Sequence, residues 1–393
     1  MENQIKFTKE QLEIAINSHI SETGGINELF TMVVNGMMQG ERKEFLSSSS
    51  QESNKGNGYR QILKSGIGSG LKLQIPRDRL GIFKPILLGV LEQQEEKIKD
   101  LSFALYGKGL TTRQISDILA DIYGTNYSKS SVSRITTEFS EVVQSWTSRA
   151  LDAVYPVIFI DAIHVKVRRD TVGTEAFYIV LGLKEDLTRE VLAILNFPTE
   201  SASGWQQALM SLKTRGVEQV DLFVFDNLKG LDESIGKCFK QSKQQKCILH
   251  FQRNLSKHIR VKDREAFCTQ VKEVFNPDEK SYTALQAESN LIAVLDKWTK
   301  KYPALNYTIA RQDLSLLFTY LSFDYRVRRM IYTTNWIERL NKSFRRTLKI
   351  RNALPTIESV HTLLGYVAME IGEKTYKYPI TNFKFDKTLN KQY

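Results

Sequence analysis

Cysteine is nearly absent: Cys238, Cys247 and Cys268 are the three in 393 residues. An odd number without close pairs excludes a disulfide framework and suits a reducing compartment. Proline and glycine, at 8 and 22 residues, are not enriched, which excludes collagen-like and long disordered stretches. No apolar run reaches the roughly 18 residues that a membrane span needs. The segment Met1-Glu2-Asn3-Gln4-Ile5-Lys6 carries an acid and lacks the apolar core of a secretory signal, so a cytoplasmic protein with no membrane partner is expected. A Walker-type phosphate loop, a Gly-rich dinucleotide turn and a Ser-His-Asp signature are all missing. ATP dependence and acyl transfer therefore have no support.

What is present is a globular composition, 41% hydrophobic and 25% charged, with length enough for two or three domains. The formal net charge is +11, which favours a polyanionic partner because phosphates neutralised by Lys or Arg release counterions.

Two short helices are expected within the first forty residues. Thr8 and Gln11 form a capping-box pattern, and Leu29, Phe30, Met32, Val33, Met37 and Met38 give the second helix an apolar face for the core or for a dimer. The polar run Ser47 to Gly58 reads as a flexible loop, and Leu71-Lys72-Leu73-Gln74-Ile75-Pro76 as a half-buried strand entering the basic turn Arg77-Asp78-Arg79. Residues 90–146 read as helical. Within them Leu110 to Leu119, a turn at Gly124-Thr125-Asn126, and Ser128 to Ile135 form a helix-turn-helix pattern that would turn Ser130, Ser131, Ser133 and Arg134 towards DNA. An ordinary helical hairpin is the plainer reading of that segment.

From Val154 the pattern changes. Val157-Ile158-Phe159-Ile160-Asp161 reads as a strand buried on both faces and ending in an acid. Strands follow at Phe177 to Leu183 and Val191 to Leu195, a helix at about 202–215, and Val220 to Asp226 as another strand closing on Asp. A helix from Lys229 to Phe239 and a last strand, Lys246 to His250, complete the set. Three strands as a meander, then helix, strand, helix, strand, is the order of an RNase H-like α/β core. Residues 251–330 have helical period and read as an all-helical insertion, after which a long helix near 334–348 resumes the core.

Asp161 and Asp226 are thus each expected at the carboxyl end of a central strand, where open α/β sheets place ligands. Neighbouring carboxylates repel, and a hard divalent cation relieves the repulsion. A third acid would hold a second ion for in-line phosphoryl displacement. Glu338, in Thr333-Thr334-Asn335-Trp336-Ile337-Glu338-Arg339-Leu340-Asn341, is the candidate. Each acid alone admits a plainer role: a turn for Asp161, a helix cap for Asp226, a surface ion pair for Glu338. From Tyr325 to Arg351, however, nine Lys or Arg residues surround Glu338 as the single acid, the pattern of a catalytic carboxylate bordered by phosphate contacts. Asn335, Arg339, Asn341, Lys342, Arg345, Arg346 and Arg351 are the expected contacts there. Cys247 and His250 lack two further ligands at zinc-site spacing, so a structural or hydrogen-bonding role beside the acids is expected.

These segments together resemble the bacterial Mutator-type insertion-sequence transposases. The resemblance is carried by Ile75-Pro76-Arg77-Asp78-Arg79, by Phe159-Ile160-Asp161-Ala162 with Val165-Lys166-Val167-Arg168, and by Asp226-Asn227-Leu228-Lys229-Gly230-Leu231. It continues through Cys247-x-x-His250-x-x-Arg253-Asn254 and Thr333-Thr334-Asn335-x-Ile337-Glu338-x-Leu340-Asn341. Asn227 stands where the family usually has Gly, and His164 where a bulkier residue is expected. The resemblance implies an RNase H-like DDE transposase with Asp161, Asp226 and Glu338 as catalytic and metal-binding residues, and with two Mg²⁺ ions for which Mn²⁺ can substitute. Water would free a 3′-hydroxyl at the element end, and that hydroxyl would attack a second phosphodiester. Implied partners are terminal inverted repeats, target DNA and a second copy of the chain, acting at the nucleoid. Arg113, Lys166, Arg168, His250 and Arg253 join the expected DNA contacts.

The expected organisation is an N-terminal helical dimerisation region over 1–46, a linker with an extended segment over 47–89 and a helix-turn-helix domain over 90–150. The first part of the core spans 151–250, the insertion 251–330, and the last part of the core with the tail 331–393. Rival readings are a catalytically silent, transposase-derived DNA-binding protein and an RNase H-like nuclease that never joins strands.

Overall fold

The computed structural model describes residues 26–48, 53–65, 70–123, 129–168, 172–197 and 201–380. The expected first helix at Thr8 and the turn at Gly124-Thr125-Asn126 lie outside them. The chain divides into two compact units, residues 1–139 and 140–393.

In the first unit, helix α1 (Ile26–Ser48) is a single helix of 23 residues, longer than the short element expected. Val34 and Met38, one turn apart, pack with Leu71 and Leu73, which alternate along strand β2 (Gly70–Asp78). Phe30, Met32, Val33 and Met37 remain exposed, so the apolar stripe divides between core and surface. Strand β1 (Gly56–Ser65) pairs antiparallel with β2, so the Gly-rich end of the expected loop is a strand. Asp78 is no exposed turn residue. It is 3% exposed, and its carboxylate accepts from Asn54 Nδ2 at 2.8 Å and Phe83 N at 3.1 Å.

Helix α2 (Ile86–Gly107) follows Pro85, which has no capping side chain, so Glu41 of α1 supplies the acceptor for Ile86 N at 2.6 Å. Helix α3 (Thr112–Tyr123) opens on a reciprocal cap: Thr111 N donates to Gln114 Oε1 at 2.9 Å, and Gln114 N to Thr111 Oγ1 at 3.3 Å. Helix α4 (Lys129–Thr147) runs 19 residues, so the second helix of the expected motif is long rather than short.

The second unit is built on a mixed five-stranded sheet of order β5-β4-β3-β6-β7. Strands β3 (Val154–Arg168), β4 (Val172–Leu183) and β5 (Arg189–Asn196) form the antiparallel meander, and β6 (Gln219–Phe225) and β7 (Lys243–Lys246) run parallel to β3. Gly182 is required on β4, because a Cβ there would lie 2.7 Å from the Tyr155 ring. Helices α5 (Ala202–Thr214) and α6 (Leu231–Cys238) cover one face with Trp205, Leu209, Leu212, Leu231 and Ile235, against Ile158, Ile160, Phe223 and Phe225.

Strand β3 does not stop at Asp161. It pairs with β6 only as far as Ile160↔Phe225, then continues beside β4 to Arg168. In that extension Ile163, Val165 and Val167 are buried while His164, Lys166 and Arg168 are exposed, the alternation of a strand with one covered face. Its tip is tied down by Arg168 N to Leu354 O at 2.8 Å and Leu354 N to Lys166 O at 3.0 Å.

The expected last strand is also corrected: β7 ends at Lys246, and Ile248 begins helix α7 (Ile248–Ser256), which carries His250. Residues 251–330 contain no strand among the described residues. They hold α8 (Val261–Val274), α9 (Ala284–Lys301), α10 (Ala304–Ile309), two 3₁₀ turns (Ser315–Leu317 and Thr319–Ser322) and α11 (Tyr325–Ile331). Buried Gln245 of β7 fastens this region to the sheet: it donates to Leu317 O at 2.9 Å and accepts from Tyr320 N at 2.6 Å. Helix α12 (Asn335–Arg351) packs against β3, and α13 (Ile357–Ile371) packs against β3 and β5. No helix among the described residues is long and apolar enough to cross a membrane.

Candidate active site

The parallel pairing of β3 with β6 brings the two aspartates together. Since Ile160 faces Phe225, the next residue on each chain is Asp161 or Asp226, at neighbouring positions on the carboxyl side of the parallel strands. Cys247 N then bonds Phe225 O at 2.8 Å, drawing the start of α7 to the same edge. One ligand atom each from Asp161, Asp226 and His250 lie within 4.8 Å of one another.

Asp161 is 5% exposed and accepts from Asn341 Nδ2 at 2.8 Å. Burial raises its carboxyl above the usual carboxylate range, and Asp226 adds to this; the His250 charge, the backbone and Asn341 oppose it without cancelling it. Asp226 remains partly open, and its Oδ2 stands 3.8 Å from His250 Nδ1. Burial works to lower the His250 pKa, but contact with Cys247 and the charges of Asp226 and Asp161 outweigh it and push the imidazole up to about 9. At neutral pH a positive ring therefore lies between carboxylates. Cys247 is itself held by Thr334, whose N and Oγ1 donate to its Sγ at 3.4 and 3.3 Å, locking the start of α7 to the start of α12.

Glu338 lies on the other side of His250: its Oε1 is 3.8 Å from Nε2 and accepts from Arg253 Nη1 at 3.2 Å. The three acids thus surround one imidazole. The compact cluster is Asp161, Asp226 and His250, rather than the expected Asp161, Asp226 and Glu338.

The remaining expected residues separate by position. Asn341 is fully buried, so it orients Asp161 and offers no surface to DNA, contrary to expectation. Asn335, Arg339, Lys342, Arg345 and Arg346 are exposed on α12, whereas Arg351 is half-buried at its end. Lys342, Arg345, Arg346 and Lys349 form no ion pair among the described residues, and Arg339 lies over the Trp336 ring at 5.4 Å. Lys166 and Arg168 are exposed but, by strand alternation, lie on the sheet face opposite to Asp161. Arg113, Ser133 and Arg134 are exposed on α3 and α4, while Ser130 and Ser131 lie in the first turn of α4.

Asn227, where the family usually has Gly, does not adopt a left-handed backbone. The left-handed residue of that turn is Gly230, with φ 79°, where a Cβ would sit 2.9 Å from Ala202 N. The site feature that sequence reasoning missed is the helix under His250. The signal available was a cysteine at the N-cap followed by apolar residues at 248, 251 and 255, which is helical spacing.

A mixed α/β sheet thus sets two aspartates side by side at its strand edge, next to a helix with an exposed cationic face. Over residues 2–378 the chain matches the family described as "Transposase, Mutator family", and it belongs to that family. It is 32% identical over 370 residues to the transposase for insertion sequence element IS905 of Lactococcus lactis subsp. lactis (strain IL1403), covering 91% of this chain and 92% of that one. It is 33% identical to the transposase for insertion sequence element IS1201 of Lactobacillus helveticus over 76% of this chain and 80% of the relative. To the transposase for insertion sequence element IS256 in transposon Tn4001 of Staphylococcus aureus it is 28% identical, over 98% and 100%.

Proposed function

We propose that this transposase cuts DNA at the ends of its insertion element and joins the freed 3′-hydroxyl to target DNA, with Asp161, Asp226 and Glu338 as its acids. The observation that carries the reading is the meeting of Asp161 and Asp226, 65 positions apart in sequence, at the edge of the parallel strands beside the exposed cations Lys342, Arg345 and Arg346 of α12. The strand order β5-β4-β3-β6-β7, interrupted by helices before α12, supports an RNase H-like core.

The donor set fits a hard divalent ion. Two carboxylates in mutual repulsion suit Mg²⁺ or Mn²⁺, and His250, with a ring nitrogen within 4.8 Å of a carboxylate oxygen of each, stands beside them. Asp161 and Asp226 would hold the ion, and Glu338 is the third carboxylate for a second one. When bound, such ions lower the pKa of the attacking water or hydroxyl and stabilise the leaving oxygen.

The protein's own groups do the rest. Asn341 fixes the Asp161 carboxylate, His250 sets the charge between the acids, and Lys342, Arg345 and Arg346 bind the DNA backbone and align the scissile phosphate. Helices α3 and α4 are assigned to reading the terminal inverted repeats through Arg113, Ser130, Ser131, Ser133 and Arg134. Two copies of the chain bring the two ends together.

The test is incubation of the full-length protein with supercoiled DNA carrying the element ends and Mg²⁺. Wild type gives 3′-hydroxyl ends and joined products, while Asp226→Asn loses both by a factor of at least about 10³. Cleavage that is unaffected by Asp226→Asn overturns the reading. Cleavage without joined products identifies a nuclease instead.

A further inference from the structure

A chamber of 290 Å³ lies next to the catalytic edge, lined by Asn227, the end of α7 and the end of α10. Asn227 is the residue after Asp226, and its backbone N donates to Asp226 Oδ1 at 2.6 Å, so the chamber begins where the acid ends. It approaches the lower bound of ordinary ligand pockets, about 300 Å³.

Its lining contains no carboxylate. Lys257 and Arg311 contribute two cations that form no ion pair among the described residues: Lys257 Nζ donates to Asn254 Oδ1 at 3.0 Å, and the Arg311 guanidinium lies 3.7 Å from the Tyr307 ring centre. Tyr307 is 64% exposed, a large aromatic left in solvent with one face backed by a cation. Thr308 Oγ1 and His258 Nε2, 3.1 Å apart, join the α7 and α10 walls.

Cations without a carboxylate beside them favour an anion, and an open ring backed by guanidinium offers its free face to a flat, stackable partner. A guanidinium lying on a ring keeps its N–H edges available to a phosphate. One ligand class supplies both features, a nucleotide. A base inside a duplex offers no free face, so the nucleotide must be unpaired.

We propose that this chamber holds one unpaired nucleotide of the DNA strand whose phosphate is presented to Asp226, with its phosphate against Lys257 and Arg311 and its base on Tyr307. The assignment rests on reading Asp161 and Asp226 as the DNA-cutting site. It makes the insertion a strand-holding device that keeps the strand open beside the scissile bond.

The test uses full-length protein and a short single-stranded oligothymidylate carrying one 2-aminopurine, read by anisotropy and by quenching of the base. Tyr307→Ala weakens binding about tenfold and loses quenching, and Tyr307→Phe retains both, since the ring and not the hydroxyl is used. Lys257→Ala and Arg311→Ala each lower the slope of log affinity against log salt by about 0.7. Unchanged melting temperatures exclude misfolding as the cause, as expected for an exposed tyrosine.

Tyr307→Ala that binds and quenches like wild type overturns the proposal. Supercoiled-plasmid cleavage by the same preparations separates the two levels. Cleavage that needs Asp226 together with wild-type behaviour of Tyr307→Ala removes the chamber alone. Cleavage that ignores Asp226→Asn removes the cutting-site reading, and with it the place given to this nucleotide.

Discussion

At the scale of single residues, His250 is the pivot of the site, because three carboxylates face one ring. Its pKa rises from 6.5 to about 9 on folding, so the charged form is the one the fold favours. The stability this contributes is fully present below pH 6.5 and is lost as pH rises towards 9, amounting to no more than about 3 kcal/mol. Urea midpoints of wild type should fall across that window, while those of His250→Gln stay level. Identical pH profiles would refute the charge assignment.

Asn341 makes a second residue-scale prediction. Asn341→Leu keeps the volume but removes the donor to a buried carboxylate, costing about 1–3 kcal/mol and raising the Asp161 pKa further. The variant should fold with a lower melting temperature and need more Mg²⁺ for cleavage. A wild-type Mg²⁺ dependence would show that the amide does not position Asp161.

At the scale of elements, the turn between β6 and α6 depends on Gly230. An alanine there must hold φ near 79° and place its Cβ 2.9 Å from Ala202 N, so Gly230→Ala should cost about 1–3 kcal/mol. Since the same turn carries Asp226, cleavage should fall more than stability does. Calorimetric melting beside a cleavage assay measures both, and equal losses would make the glycine a purely structural element.

The elements themselves were unevenly legible in the sequence. Asp161 and Asp226 could be found because unbroken apolar runs lead into them. That β3 continues past Asp161 was hidden because the buried-on-both-faces pattern stops there and a one-faced alternation of Ile163, Val165 and Val167 takes over. The helix bearing His250 passed for a strand because Cys247-Ile248-Leu249 is apolar and no polar cap precedes it. Strand β1 was concealed by glycines and polar residues that pay little individually for pairing. Glu338 could be found as the one acid of a basic helix, but its ion pair with Arg253, 85 positions away, could not.

At the scale of the whole molecule, the charge of +11 is not evenly spent. Exposed Lys342, Arg345, Arg346 and Lys349 follow one another along α12 at helical spacing, on the face away from Ile337, Leu340 and Phe344. Neutralising them should weaken DNA binding with little regard to sequence. Each Lys or Arg→Ala change should reduce the salt slope on duplex DNA by about 0.9, measured by titration at several salt concentrations. A slope that does not move would take the stripe out of the interface. Arg113→Ala and Arg134→Ala, by contrast, should weaken binding to element ends more than to random duplex.

The backbone ladder between β3 and β6 has a consequence for how such proteins diverge. Because Asp226 follows directly on the residue paired with Ile160, the separation of the two aspartates is counted in peptide units and not in side-chain fit. Exchanging one apolar residue for another in β6 leaves that count intact. Adding or deleting a single residue turns the carboxylate through to the opposite side of the sheet. Drift in composition is thus cheap here and drift in length is forbidden, so lineages of this enzyme should gain and lose residues in the loops and the helical insertion while β6 keeps its length.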